Sequence, residues 1–349
     1  MDHLRLRESA RARLSELAWQ FYSSVAAGDP DVETDSSAWD RVGVVPRVFS
    51  GISAVSTAVH LDSAAHRGGA TLASPVVIAP MAAHRLAHPD AELATAAAAT
   101  ASATLTVYSS SSTIEVGEFG DAISAPWWAQ VYLMRERGIT EDYVRRAATA
   151  GAGALVLTVD YPGTLGSPAF RTSTRDRMGV RPANYPQFSW PEMADAYEPA
   201  VSPDHIGLLA EWSGLPVHVK GILRPSDART AIRAGARGIV VSNHGRRQVP
   251  GVVSVAEALS AVADEVAGAV PVMVDGGIRS GVDVLRAIAM GASLVGVGRP
   301  VLWALATGGA DGVQQLIGEV GDELLNVMAS CGVGSLGELD RSFVAPPRR

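Results

Sequence analysis

The sequence has almost no cysteine and no long apolar run, and each absence excludes a class of protein. Cys331 is the only cysteine in 349 residues, so no disulfide can form within the chain, which is typical of a reducing compartment. Nowhere do about 20 apolar residues follow one another without a charge or a helix breaker, so no membrane-spanning helix is predicted. The N-terminal residues lack the apolar core of a secretory signal. We therefore expect a cytoplasmic protein.

The sequence also lacks an excess of basic residues. Its formal net charge is −7 at pH 7, from 29 Lys and Arg against 36 Asp and Glu. Nucleic acids and anionic membranes are bound through basic surfaces, so neither is an expected partner. The histidines show no metal-ligand spacing, and we predict no metal site. A small molecule remains the expected ligand.

Short apolar runs rich in β-branched residues recur from about residue 75 onward, and they alternate with helical patterns. Runs of this length that are apolar throughout are typical of parallel strands covered on both faces. The runs span Val76–Ala79, Leu105–Tyr108, Trp128–Val131, Leu155–Val159, Val217–Lys220, Gly238–Ser242, Val272–Asp275 and Leu294–Gly298. The predicted helices include Ala91–Ser102, Glu141–Ala150, Pro225–Ala234, Ser254–Val266, Gly281–Met290 and Gly312–Met328.

Eight strand–helix units predict an α/β fold of the (β/α)8 or TIM-barrel type, in a single domain over residues 1–349. A doubly wound open sheet is the alternative, but no early G-x-G-x-x-G motif supports it. The barrel is expected over residues 75–345. Residues 1–74, with one predicted helix over Arg5–Ala27, are expected to form an N-terminal helical cap over one of its ends. Residues 161–215, after the fourth strand, are the longest interruption, and we expect a long active-site loop region there.

Nearly every predicted strand ends in a polar residue. In barrels of this kind the active site lies at the carboxyl ends of the strands. The polar residues at or just after these ends are Ser109, Gln130, Tyr132, Thr158, Asp160, Lys220, Ser242, His244, Asp275 and Arg299. A barrel shaped for stability alone has no need of them, so we expect the functional site at this end.

The segments after the last two strands indicate a phosphate site. They read Asp275-Gly-Gly-Ile-Arg279 and Gly298-Arg299. Glycines let backbone N–H groups approach an anion, and two arginines can pair with it. The last two strands are also the usual phosphate position in such barrels. The alternative is a pair of tight turns with solvated arginines.

Four residues at this end of the barrel suggest the chemistry. Lys220 ends an apolar strand, where a charge is costly without a negative partner, so it could stabilise a reduced flavin or form a Schiff base. The alternative is a lysine that extends to solvent. His244 can accept a proton near neutral pH, and Asp160 could orient it. Arg247 follows three residues later and could bind a carboxylate.

The segment Ser242-Asn-His-Gly-Arg-Arg-Gln248 resembles the S-N-H-G-x-R-Q signature of the FMN-dependent α-hydroxy-acid dehydrogenases and oxidases, a family that includes glycolate, lactate and mandelate enzymes. The resemblance implies a TIM barrel, FMN as cofactor, oxidation of an α-hydroxy acid to the 2-oxo acid, oxygen or an electron carrier as acceptor, and a homo-oligomer such as a tetramer. Segments that extend it are Ile78–Pro80, Leu86–Pro89, Leu157–Asp160, Val219–Gly221, Asp275–Arg279, Gly291-Ala292 and Gly298–Pro300.

The resemblance also implies a role for each matching residue. His244 would be the base, Asp160 its partner, Tyr132 a hydrogen-bond partner of the substrate, Arg247 the carboxylate-binding residue, and Lys220 the stabiliser of the reduced flavin. The implied FMN contacts are Ala79, Pro80, Met81, Ala82, Ser109, Gln130, Thr158, Lys220, Ser242, Asp275, Gly276, Gly277, Arg279, Gly298 and Arg299. The implied substrate contacts are Phe21, Tyr22, Tyr132, Arg171, His244 and Arg247.

Two departures from the family pattern predict an unusual substrate. Phe21 aligns best with the family's N-terminal Tyr, and Pro168 falls near its second carboxylate-binding Arg, for which Arg171 or Arg175 could substitute. A charged hydrogen bond contributes about 1.5–3 kcal/mol, so losing two would weaken the binding of a simple hydroxy acid by orders of magnitude. We expect a bulky, mandelate-like substrate in a pocket lined by Phe21, Met81, Trp127 and Trp190.

Two alternatives keep the flavin but change the function. One is an FMN enzyme of the same fold that acts on an atypical hydroxy compound or catalyses a flavin-dependent isomerisation. The other is a non-catalytic flavin-binding protein, which the joint presence of His244, Arg247, Lys220, Tyr132 and Asp160 disfavours.

Overall fold

Eight parallel strands close into a barrel in the computed structural model, which describes residues 2–26, 31–161, 177 and 179–345. The first and eighth strands pair, with Val76 opposite Val295, so the sheet has no open edge. The predicted TIM barrel is confirmed, and each predicted run overlaps an observed strand whose ends differ by at most two residues. The strands are Val76–Ile78, Thr106–Ser109, Trp127–Val131, Leu155–Thr158, Val217–Ile222, Gly238–Val241, Val272–Asp275 and Leu294–Val297.

Helices surround the barrel, and local capping explains where several of them begin. Ser189, Ser254 and Ser280 each form a capping box with the acidic residue three positions later. None of the described helices combines the length and apolarity needed to cross a bilayer. The outer helices are Ala91–Ala101, Val116–Ala122, Arg137–Thr149, Trp190–Ala196, Asp204–Ser213, Pro225–Arg233, Val255–Val266, Gly281–Ala289 and Arg299–Ser330.

The last and first predicted helices differ from the observed ones. The last begins at Arg299, well before Gly312, and is kinked at Gly309, whose φ of 59° leaves the helical range. The single helix predicted over Arg5–Ala27 is wrong, because the chain forms two helices, His3–Arg13 and Glu16–Ser23. Ser15 causes the break, since its side chain accepts a hydrogen bond from the backbone N–H of Ala18 at 3.2 Å and so begins a new helix.

The N-terminal segment reaches both ends of the barrel, not one end as expected. A hairpin of Val59–Leu61 and Ala70–Leu72 lies under the amino ends of the strands, where its leucines join the apolar cluster of the barrel interior. The helix Glu16–Ser23 instead leads to the carboxyl ends. A further helix, Thr34–Asp40, packs against Val255–Val266 and Gly281–Ala289.

The region 161–215 is only partly a loop. Its second half contains the helices Trp190–Ala196 and Asp204–Ser213, and the latter packs against Arg137–Thr149 as part of the outer layer. The second half of this region is therefore part of the outer helical layer of the barrel, and the fifth strand follows it.

The amino end of the barrel is sealed by Trp128 and two histidines. The rings of Trp128 and His218 stack with centroids 4.2 Å apart. The indole N–H of Trp128 donates to Nδ1 of His66 at 3.1 Å, and Nε2 of His218 donates to the Ala65 carbonyl at 2.8 Å. Burial lowers the pKa of His218 to about 4, so this ring is neutral at physiological pH.

Candidate active site

A cavity of about 690 Å³ opens at the carboxyl ends of the strands and brings most of the predicted site residues together. Parallel strands deliver the residues that follow them to one end of the barrel, which is why residues distant in sequence meet here. The predicted residues that line it are Phe21, Tyr22, Ala79, Pro80, Met81, Ala82, Ser109, Gln130, Tyr132, Thr158, Lys220, His244, Arg247, Asp275, Gly276, Gly277, Arg279, Gly298 and Arg299.

Several predicted residues do not line this cavity. Asp160 and Ser242 lie behind it and hold residues that do. Trp127 packs in the core against Tyr108 and Phe119, so its expected place in the pocket wall is wrong. The predicted Arg171 and its alternative Arg175, like Pro168, lie outside the described residues.

His244 is held at both of its ring nitrogens. Nδ1 lies 2.8 Å from Oδ1 of Asp160, and Nε2 lies 3.3 Å from the hydroxyl of Tyr132. With the Nδ1 proton donated to the carboxylate, Nε2 carries the lone pair and faces the cavity side. This is the arrangement in which an imidazole can accept a proton from a bound molecule.

The Asp160 carboxylate is kept ionised by its neighbours. Burial acts to raise the pKa of Asp160, but the His244 imidazole and the Lys220 ammonium outweigh burial and lower it. Gly221 makes room for this carboxylate, since a Cβ there would lie 2.5 Å from the Asp160 carboxyl carbon. Gly221 also has a φ of 106° and lies at an irregularity in the pairing of the fifth and sixth strands. Such local irregularities often aim a side chain beside an active site.

The turn that carries His244 is strained. His244, Gly245 and Arg246 have φ values of 57°, 61° and 62°, so two non-glycine residues adopt the left-handed region in one turn. Such conformations persist only where the surroundings impose them, and they cluster at functional sites. The S-N-H-G motif is therefore also a backbone shape that directs His244 into the cavity.

Arg247 connects the cavity to the N-terminal segment. Its Nη1 donates to the Phe21 carbonyl at 2.9 Å, and its guanidinium carbon lies 5.1 Å from the centre of the Phe21 ring. Stacking on an aromatic ring fixes a guanidinium plane without neutralising its charge. Phe21 thus helps to orient Arg247 while it lines the same cavity.

Lys220 is buried and paired, so the alternative of a lysine that extends to solvent is wrong. It is 5% exposed, and its Nζ donates to the Ser242 hydroxyl at 2.7 Å. That hydroxyl donates to Oδ1 of Asp275 at 2.5 Å, and Nζ lies 3.5 Å from Oδ2 of the same carboxylate. Asp275 therefore supplies the negative partner that a buried ammonium requires.

A row of uncharged polar groups lies beside Lys220. The Gln130 amide donates to the Thr158 hydroxyl at 3.0 Å and accepts from the backbone N–H of Ser110 at 3.1 Å. The Ser109 hydroxyl also donates to the side-chain amide oxygen Oε1 of Gln130, at 3.3 Å. Because these groups hold one another, they present a fixed pattern of donors and acceptors to a planar polar ligand.

At the ends of the last two strands, the cavity carries Arg279 and Arg299, and Arg299 lies close to Arg247. Arg299 donates to the carbonyls of Tyr22, Ser24 and Gly245 at 2.9 Å each. Burial, together with repulsion from Arg247 and Arg279, lowers its pKa to about 9. Arg279 is buried and pairs with Glu33 at 3.0 Å, so the alternative of two solvated arginines is wrong. Guanidinium groups crowded in this way fit an anion such as the FMN phosphate.

The two glycines after the seventh strand have a packing role that the motif did not reveal. Gly276 and Gly277 have φ values of 123° and 75°, and a Cβ on Gly277 would lie 2.5 Å from the backbone carbon of Asp35. The helix that contains Asp35 therefore requires this glycine. At Gly298, by contrast, a Cβ would meet only the Met81 sulfur, at 4.0 Å, so this position is open to a ligand.

The sequence reasoning missed an aromatic wall. Tyr161 and Tyr197 line the cavity, with ring centres 5.3 and 4.8 Å from that of Tyr132. Tyr161 follows Asp160 directly, so its position could have been noticed. No local signal marks Tyr197, which comes from the chain beyond the helix Trp190–Ala196 and forms a hydrogen bond with Ser111 at 3.2 Å. The predicted Trp190 also lines the cavity.

Comparison with protein families and sequences gives one consistent result. The model of the family described as FMN-dependent dehydrogenase matches residues 10–346. An L-lactate oxidase of Nostoc sp. is 36% identical over 359 residues, which cover 96% of this chain and 95% of that protein. A 4-hydroxymandelate oxidase of Amycolatopsis orientalis is also 36% identical, with 98% of each chain covered.

Solved structures agree with the sequence matches. A crystal structure of mandelate oxidase superposes with a TM-score of 0.87 at 35% identity, covering 98% of this chain and 97% of that one. A crystal structure of mandelate oxidase with benzoyl-formic acid gives a TM-score of 0.85 at 36% identity, with the same coverage. Similarity over nearly the whole of both chains indicates a shared fold from end to end.

Proposed function

Because this chain belongs to the family of FMN-dependent dehydrogenases, we propose that it oxidises an α-hydroxy acid to the 2-oxo acid. The observation that carries the proposal is the pair of hydrogen-bond contacts that His244 makes, with Asp160 at one ring nitrogen and Tyr132 at the other. They lie at the edge of a cavity rich in arginine. FMN, when bound, accepts the two electrons that leave the substrate. The residues of this chain bind both molecules and move the proton.

The charges and polar groups of the cavity support the FMN-binding residues that we propose. Arg279 and Arg299 would hold the phosphate, next to the open backbone at Gly298. The row formed by Ser109, Gln130 and Thr158 would hydrogen-bond the polar edge of the flavin, and Lys220 would compensate negative charge there. The buried Lys220–Asp275 pair supports this role, since it keeps an ammonium fixed in the cavity wall.

His244 would act as the base at its Nε2 atom. Its Nδ1 proton is engaged by Asp160, so the substrate's proton would be accepted at Nε2, and the imidazolium that forms would be stabilised by the adjacent carboxylate. The Tyr132 hydroxyl lies 3.3 Å from the same nitrogen, so it would also hydrogen-bond a substrate whose proton is accepted there. Arg247 would pair with the substrate carboxylate.

We further propose an aryl substituent on the substrate, as in mandelate. The cavity side next to His244 carries aromatic rings, with the Tyr161 ring centre 6.2 Å and the Tyr132 ring centre 6.4 Å from that of the imidazole. Aromatic side chains that line a cavity offer ring faces and edges against which another aromatic ring can pack. A curated relative is named 4-hydroxymandelate oxidase, which supports the same substrate class.

The electron acceptor, the oligomeric state and the compartment also belong to the proposal. Relatives named as oxidases support oxygen as the acceptor, with an electron carrier as the alternative. We propose a cytoplasmic homo-oligomer, although some plant relatives are named as peroxisomal enzymes. Hydrogen peroxide release during turnover, and light scattering of the purified protein, test the acceptor and the assembly.

The decisive experiment is anaerobic reduction of the bound flavin. Purified holoprotein is mixed with mandelate, lactate or glycolate, and the loss of flavin absorbance is followed by stopped flow. We expect complete reduction, fastest with mandelate because of the aromatic wall. The control is 2-hydroxy-2-phenylpropanoate, which fills the same space but has no α-hydrogen and must leave the flavin oxidised. If no hydroxy acid reduces the flavin, the proposed function is wrong.

A further inference from the structure

A buried ion pair connects the N-terminal segment to the turn that carries His244. Asp35, in the helix Thr34–Asp40, is 2% exposed, and Arg246 is 6% exposed. Oδ1 of Asp35 lies 3.4 Å from Nη1 of Arg246, and its Oδ2 accepts a hydrogen bond from the Asn243 amide at 2.8 Å. The two oxygens of one carboxylate therefore hold the residues on either side of His244 and Gly245.

The position of Asp35 is fixed from a second direction. Its backbone is pressed against Gly277, where a Cβ would lie 2.5 Å from the Asp35 carbonyl carbon. The turn is tied further to the same segment, because the backbone N–H of Ala26 donates to the Arg246 carbonyl at 2.7 Å. The carboxylate is thus a rigid anchor and not a mobile surface charge.

The energetics of the pair do not suggest a role in stability. Burial raises the pKa of Asp35 even though Asn243 and Arg246 both act to lower it. The interactions with these neighbours are therefore weaker than the desolvation penalty of the carboxylate. A buried ion pair is weak evidence for stability, and retention of such pairs is better attested where they specify a geometry. The geometry here is strained, since Arg246 has a φ of 62°.

We infer that Asp35 is a positioning residue, which holds Asn243 and Arg246 so that the turn between them aims His244 at Asp160 and the cavity. The inference rests on the proposed function of His244. A shift of about 1 Å in a catalytic group can cost about 100-fold in rate, so relaxation of this turn should be visible in kinetics.

The test uses two variants of the holoprotein that remove one partner each, Asp35→Asn and Arg246→Met. We expect the rate of flavin reduction at saturating mandelate to fall about tenfold in each, and the pH profile of kcat/KM to change, because His244 no longer keeps its contact with Asp160. Amide hydrogen exchange of the segment 243–247 should become faster in both variants.

The matched control is Arg286→Met. Arg286 also belongs to a mostly buried ion pair, with Asp283 at 2.9 Å, and this pair lies in the helix Gly281–Ala289 and not in the turn. Its second partner, the exposed Asp40 carboxylate at 3.7 Å, lies in the helix of Asp35, but a pair with an exposed partner at this distance contributes little.

Removal of one partner of a buried ion pair leaves the other charge uncompensated, so all three variants should lose stability. In Arg286→Met we expect this loss with unchanged flavin reduction and unchanged exchange at 243–247. If the Asp35 and Arg246 variants behave like this control, the pair is only structural and the inference is wrong. If wild-type flavin resists every hydroxy acid, the proposed function fails, and the exchange measurement alone still decides the inference.

Discussion

Each end of the barrel places a histidine beside an aromatic ring, yet one histidine belongs to the core and the other faces the cavity. At the amino end, His218 stacks on Trp128 and donates to a backbone carbonyl, and burial lowers its pKa to about 4. At the carboxyl end, His244 lies beside Tyr132 but donates to the Asp160 carboxylate at 2.8 Å and faces the cavity. A neutral partner makes a histidine part of the core, whereas a carboxylate and an open side suit it to proton transfer.

At each end of the barrel, a glycine leaves space for a polar side chain that packs against it. At the amino end, a Cβ on Gly238 would lie 1.8 Å from the ring of His218. At the carboxyl end, Gly221 leaves space for the Asp160 carboxylate. In each case the glycine has no side chain, and a polar residue occupies the space. A larger residue at Gly238 should therefore lower the stability of the fold, and a larger residue at Gly221 should slow catalysis.

Replacement of the two histidines should give the largest contrast. In His244→Gln we expect kcat to fall about 1,000-fold, because general bases typically contribute about 100- to 10,000-fold, with little change in the midpoint of urea unfolding. In His218→Asn we expect lower stability and an unchanged kcat per bound flavin. Stopped-flow reduction and urea unfolding measure the two effects. A His244→Gln protein that keeps a tenth of the wild-type rate would contradict the assigned base.

The free energy of unfolding should depend on pH through His218, at the amino end of the barrel. The folded-state pKa of His218, about 4, lies below the ordinary histidine value of 6.5, so its contribution is complete above pH 6.5 and is lost as the pH falls toward 4. The loss can reach about 3 kcal/mol, at about 1.36 kcal/mol per pKa unit. Urea unfolding between pH 7 and 4 measures it. In His218→Asn this part of the slope should disappear, and an unchanged slope would show that His218 is not the titrating group.

Gly221→Ala tests the carboxyl end by steric hindrance, because it adds a methyl group without changing any charge. The added Cβ would displace the Asp160 carboxylate and with it His244, so we expect kcat to fall about 100-fold. Gly235→Ala is the matched control, since its φ of 97° is similar to the 106° of Gly221, but a Cβ there has no neighbour within 4 Å. The control should lose only about 1 kcal/mol of stability. Equal kinetics in the two variants would mean that strain, and not Asp160, explains any loss.

Gly238→Ala is the counterpart at the amino end and should have the smallest effect. Its Cβ would collide with His218, and overpacking of a core typically costs about 1–3 kcal/mol, so we expect a loss of about 2 kcal/mol with unchanged kcat. The control is Gly207→Ala, which lies in the helix Asp204–Ser213 with no neighbour within 4 Å and should be neutral or stabilising. Slower flavin reduction in Gly238→Ala would show that the two ends are coupled.

Local signals in the sequence were sufficient for the barrel and for the residues at its strand ends. The parallel strands are short and apolar throughout because both of their faces are covered, and serines with an acidic residue three positions later begin several helices. Lys220, His244 and Asp275 lie at or just after the ends of their predicted strands, which predicted that they would meet, and they do. The break at Ser15 also had a local cause, the cap, but the helical pattern on both sides concealed it.

The sequence by itself therefore determined the fold class, the family and most of the cavity lining, because strand order and strand ends are encoded in residues close together. Only the tertiary structure decided that the N-terminal segment serves both ends, that Tyr197 joins the aromatic wall, and that Asp35 lies behind the His244 turn. Asp35 and Asn243 are 208 positions apart, and no local pattern carries information about such a contact. The physical reason is that burial and charge pairing depend on which surfaces meet after the barrel has closed.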